Sequence, residues 1–149
     1  HHTDDPDKTA AHLRTLLKPG GRLILWVYSE EGNALNRRLL EPAKSLFLRR
    51  LPRPALMGLA HLATAMLYPL VHTLYRLPVP FLPFYEYFGN FRRFTYSNNL
   101  MNVFDKLNAP QTDFISEKRA RSWVAGMTDQ HVSAYVGVSW RVSGTRPIL

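Results

Sequence analysis

Six histidines and no cysteine supply most of the neutral-pH acid–base chemistry that this chain of 149 residues can offer. His1 and His2 are adjacent, whereas His12, His61, His72 and His131 are dispersed, and no H-x-x-x-H or H-E-x-x-H arrangement exists to ligate a metal. The missing cysteines exclude a thiolate metal site and a disulfide framework. There is no G-x-S-x-G for a serine hydrolase and no G-x-G-x-G for a nucleotide loop. What remains is imidazole and phenol, and an imidazole near neutral pKa can take a proton from a reacting acceptor.

The elements that would position these groups are clearest near the start. Asp5 caps a helix, Pro6 takes its first position, Asp7 lies in its first turn, and Ala10, Leu13, Leu16 and Leu17 recur at helical spacing. Lys18 suits the negative end of the dipole, and Pro19 with Gly20 and Gly21 breaks the helix. Six apolar or aromatic residues from Leu23 to Tyr28 follow without alternation, which predicts a strand covered on both faces, as in a parallel α/β sheet. Tyr28 stands at its carboxyl end, where α/β sheets put ligand contacts.

The string Leu16-Leu17-Lys18-Pro19-Gly20-Gly21-Arg22-Leu23 with its apolar strand resembles the class I S-adenosylmethionine-dependent methyltransferases of the type 11 kind, where it joins the fourth helix to the fifth strand. His1-His2-Thr3-Asp4-Asp5-Pro6 is similar to the loop after that family's fourth strand. Asn102-Val103-Phe104-Asp105-Lys106-Leu107 to Pro110, Ser116 to Trp123, and Ser139-Trp140-Arg141-Val142-Ser143-Gly144 resemble its closing helix and two strands. The resemblance implies the C-terminal part of a Rossmann-like sheet, one parallel strand plus a terminal antiparallel hairpin with the last strand between its neighbours. It implies S-adenosylmethionine as cofactor, His1 and His2 as cofactor contacts, and His2 as the acceptor's base beside the reactive methyl. It makes Asp105 a structural residue, a helix cap. The family's glycine-rich loop and acidic residue are not found here, so most cofactor contacts are expected outside these residues.

The middle of the chain is unmatched. Arg37, Arg38, Lys44, Arg49, Arg50 and Arg53 interleave with Leu39, Leu40, Leu46, Phe47, Leu48 and Leu51, opposed only by Glu41, a pattern of either an amphipathic helix on an anionic membrane or a solvated face. Pro54 to Tyr75 carries no formal charge and is long enough to span a bilayer. His61, Thr64, Tyr68, His72 and Tyr75 share one face and Leu59, Ala63, Met66 and Leu70 the other, so a helix packed over a core or lid is expected, kinked or split at Pro69. Pro78, Pro80 and Pro83 favour an extended path. Residues 30–100 are thus expected to form a helical, basic, aromatic-rich cap, with 1–29 and 101–149 as the core. Tyr28, His61, His72 and Tyr85 are candidates for lining an acceptor pocket.

The end of the chain is regular. Ser116 caps a helix with Ala120, Trp123, Val124 and Met127 inside and Gly126 at its end. His131 to Val138 alternates as a strand, and Trp140 to Thr145 makes a second, paired as a hairpin. The expected fold is α/β. The expected function is methyl transfer to a small, hydrophobic or lipid-linked acceptor carrying a phosphate or carboxylate, by an enzyme of which this chain is a fragment. The alternative is a non-catalytic membrane-surface helical module. Nucleic acid is ranked lowest despite a pI near 10.1, because base-modifying relatives carry an N-P-P-Y tetrapeptide where His1-His2-Thr3-Asp4 stands. The expected location is cytoplasmic, with peripheral contact at the inner face of a membrane.

Overall fold

A computed structural model describes residues 1–109 and 111–148, which divide into two units, 1–34 with 111–148 and 35–109. The sequence boundaries of 29/30 and 100/101 therefore both move toward the carboxyl end of the chain, by five and about ten residues. The helix bearing Asn102 to Leu107 clusters with the helical unit rather than with the sheet.

In the sheet unit, α1 (Pro6–Thr15) begins as its residues dictate, with Asp5 accepting from the Lys8 N–H at 3.0 Å. The turn after it reaches β1 (Arg22–Tyr28) through Gly20 at φ 76°, where the N–H of Gly20 and the O of Gly21 both bond Arg146. A short helix, here α6 (Glu117–Ser122) because four others intervene in the chain, is followed by β2 (Thr128–Tyr135) and β3 (Ser139–Thr145). The sheet order is β1-β3-β2, with β3 antiparallel to both neighbours. The hairpin turn lies at Val136 and Gly137, and β2 starts three residues earlier than its alternation suggested. Leu23, Val27 and Val142 face a core shared with Ala10, Ile115, Ala120, Trp123, Val124 and Met127.

β1 is not covered on both faces. Ile24 and Trp26, on the face opposite the core, are 72% and 44% exposed. Its outer edge is open as well. The Ser29 N–H donates to Val138 O, so by antiparallel alternation the amides of Arg22, Ile24 and Trp26 point away from β3, where no strand pairs among the described residues. Only past its end does Ile115 join, donating to Tyr28 O at 2.9 Å and accepting from the Glu30 N–H at 3.0 Å.

In the helical unit, α2 (Glu41–Leu46), α3 (Arg53–Thr73), α4 (Tyr85–Phe91) and α5 (Tyr96–Asn108) enclose a core of Ala60, Val71, Phe91 and Val103. The basic segment is not one amphipathic helix: a π-type turn at Asn36–Leu40, α2 and a tight turn at Leu48–Arg50 break it before Pro52. α3 runs through Pro69 without a break. The stretch from Leu77 to Leu82 folds into tight turns rather than extending, with Val79 N–H donating to Leu77 O and Leu82 N–H to Val79 O. Thr95 caps α5, so Asp105, exposed in its last turn, is not a helix cap.

Lys44 is buried and paired to Glu41 at 2.8 Å, and Lys106 lies over the Tyr87 ring at 5.1 Å. Burial, reinforced by the charge of Lys44, pushes Lys106 down to about 8 from 10.5. Because the unfolded chain then binds this proton more tightly, stability rises as pH increases from about 8 to 10.5. Lys106→Met is expected to gain about 1–3 kcal/mol at neutral pH. Its advantage over the wild type should shrink across that alkaline window in urea titrations, and an advantage constant with pH would contradict this account.

Candidate functional site

The carboxyl end of β1 gathers an aromatic cluster. Trp26 and Tyr28 project from one face of the strand, two residues apart, with ring centroids 5.2 Å apart. The His1 ring lies 4.6 Å from Tyr28, 5.7 Å from Trp26 and 4.1 Å from His2, and Phe114 stacks on Tyr28 at 6.2 Å. The 1–5 segment is held there by the Asp113 N–H, which donates to His1 O at 2.8 Å, and by the capped start of α1.

Asp7 ties that start to the far end of the unit. Arg119 Nε donates to both Asp7 oxygens, at 3.0 and 2.9 Å, and Trp123 Nε1 donates to one at 2.5 Å, while Arg119 Nη1 reaches Asp113 at 2.9 Å. The Arg119 bonds, and then the Trp123 bond, hold the Asp7 carboxyl below its ordinary range.

His2 is exposed and donates from Nδ1 to the carbonyl of Gln111 at 2.8 Å. That bond keeps the proton of the neutral ring on Nδ1 and leaves Nε2 as the side that can accept a proton from an approaching group. His1 Nε2 is buried and has no hydrogen-bond partner among the described residues. Beneath the ring is a cavity of about 50 Å³ lined by Pro6, Ala10, Leu25, Val27 and Trp123, room for a water or two and not for a nucleoside. A larger cleft of about 500 Å³ involves Arg14 and Arg146. Both guanidinium groups donate to backbone carbonyls, Arg14 to Ala125 O and Arg146 to Leu17 O.

Of the residues expected from sequence, His1, His2 and Tyr28 thus come together. His61 and His72 belong to the helical unit, in a row through Tyr96 and Tyr68: His61 to Tyr96 6.3 Å, Tyr96 to Tyr68 5.4 Å, Tyr68 to His72 4.4 Å. Tyr85 stands outside this row and donates to Leu77 O at 3.0 Å. Trp26 and Phe114 were missed. Trp26 was recoverable, since period two puts it on the face of Tyr28, whereas Phe114 is brought in only by the Ile115 bridge.

No family model matches the chain, and neither a curated protein nor a solved structure matches it. The reading of the site therefore stands on geometry and on residue chemistry.

Proposed function

We propose that the sheet unit is the carboxyl-terminal part of a class I S-adenosylmethionine-dependent methyltransferase acting on a small hydrophobic or lipid-linked acceptor. The observation that carries this reading is the strand order β1-β3-β2. A simple meander of three strands would be ordered as in the chain, whereas here the last strand inserts antiparallel between the other two, the arrangement the motif resemblance implies. Three further features support it. Among the described residues β1 has an unpaired edge and an exposed apolar face, which suit docking of a further strand and its covering helix. The His1–His2 loop lies at the strand's carboxyl end, where α/β sheets bind ligands. The aromatic rings around Tyr28 provide an apolar wall for an acceptor.

The described residues do not form a complete cofactor pocket, since the cavity at the cluster is about 50 Å³ and no glycine-rich loop is present. When bound, the sulfonium cofactor supplies an electrophilic methyl group. The chain's own residues orient the acceptor, exclude water and take its proton at His2 Nε2. In the complete protein, His2→Ala is expected to lower kcat for labelled methyl transfer by about 10²-fold. Affinity for S-adenosylhomocysteine should change little. Undiminished kcat would remove His2 from the chemistry.

The alternative, a membrane-surface module without catalysis, draws on the exposed apolar face of α3. It differs from the enzyme reading in cofactor binding alone, because an enzyme with a lipidic acceptor would also meet a membrane.

A further inference from the structure

The helical unit is built with an apolar face outward. Along α3, Ala55, Leu62, Ala65, Met66 and Leu70 are exposed at spacings of three, four and seven, with His61 at the edge of this face and Thr73 at its end, while Leu56, Ala60, Thr64 and Val71 are buried on the other side. Leu62, Met66 and Leu70 are 59%, 64% and 48% exposed. Only 22% of the most apolar window of residues 53–76 is buried, far less than a core helix would show. A continuous exposed stripe of this kind marks an interaction surface.

Charge identifies the occupant. Residues 35–109 hold ten lysines and arginines against three acids, a net +7 of the chain's +8. No formal charge falls between Pro54 and Tyr75, while Arg49, Arg50 and Arg53 precede this stretch and Arg76 follows it. The three preceding arginines are exposed, as are Leu46 and Phe47 just before them and Leu51 among them. A second copy of so basic a unit would be repelled, whereas an anionic lipid surface offers both the apolar phase for the stripe and the counter-charge for its ends. The helix cannot cross the bilayer. Its buried side packs on α5, whose Ser97, Asn98, Asp105 and Asn108 are exposed and would have to follow it into hydrocarbon.

We propose that the helical unit binds the surface of an anionic membrane with α3 lying in the plane of the interface, its Leu62–Met66–Leu70 stripe inserted and its flanking arginines on lipid headgroups. This does not depend on methyl transfer. Flotation of the complete protein with phosphatidylcholine vesicles containing about 30 mol% phosphatidylserine tests it. The bound fraction is expected to fall at least about tenfold on pure phosphatidylcholine or in about 0.5 M salt. It is expected to fall as far in the double variant Leu62→Glu, Met66→Glu, with an unchanged circular dichroism spectrum, since both positions are exposed. Failure of the folded wild-type protein to float would overturn the proposal, as would wild-type binding by the folded double variant. A dimer in sedimentation equilibrium that the double variant dissociates would assign the stripe to a second copy instead.

Discussion

Gly32→Ala is expected to destabilise the sheet unit by about 3 kcal/mol, at the upper end of overpacking costs. A Cβ at this position would stand 1.9 Å from the Gly137 carbonyl oxygen, 2.8 Å from its carbonyl carbon and 2.6 Å from Ser29 Oγ. Two of these atoms are backbone in the β2–β3 turn and cannot swing aside. The surrounding clamp resists a shift of the segment itself, because Asn33, 1% exposed, donates from Nδ2 to Ser29 O at 2.8 Å and to Val138 O at 2.7 Å. Moving Gly32 away would strain these buried bonds. Urea titration followed by tryptophan fluorescence reads the sheet unit directly, since Trp26, Trp123 and Trp140 all lie in it. A loss below about 1 kcal/mol would mean that the turn after β1 is not clamped to the hairpin.

Trp123→Ala is the second large effect, expected to cost about 3–5 kcal/mol. The indole is 6% exposed in the core with Ala10, Val124 and Val142, and its Nε1 holds Asp7 at the start of α1. Truncation removes the packing and one of the bonds that fix the helix behind the His1–His2 loop. Trp123→Phe separates the two contributions, keeping most of the ring volume while losing the bond, and should cost about 1 kcal/mol. Thermal unfolding by circular dichroism checks both. Equal losses for the two variants would assign the effect to the Asp7 bond rather than to the core.

The parts of this fold that were legible are those with local causes. Asp5, Pro6 and the Lys18-Pro19-Gly20-Gly21 turn announce α1, its end and the start of β1, because caps, prolines and glycines act on the backbone where they stand. The apolar run of β1 was legible as a strand, but its two-sided burial was not, since a run of apolar residues states what a face could meet and not what meets it. The same gap explains α3. Periodicity put His61 with Thr64 and Ala63 with Met66 and Leu70, yet Thr64 and Ala63 meet the core while His61, Met66 and Leu70 are exposed, so the buried face, where small Ala60 and Val71 let α5 pack, falls between the two read from spacing. The basic segment reads from sequence as one helix because its charges and leucines recur at helical spacing through Pro42 and up to Pro52, whereas the backbone breaks it into short turns. Of the site, His1, His2 and Tyr28 were legible through motif position. The Gly32 and Asn33 clamp and the burial of Lys106 beside the Lys44 charge arise only from tertiary contact and leave no trace in spacing.

The central claim is that this sheet belongs to a methyltransferase, and calorimetric titration of S-adenosylhomocysteine into the protein expressed from its complete coding sequence tests it most directly. Micromolar binding is the expected result and would turn the question to the acceptor, beginning with lipids and quinones. Absence of binding by a folded, monodisperse protein would contradict the claim and leave β1-β3-β2 as a sheet without the cofactor chemistry proposed for it.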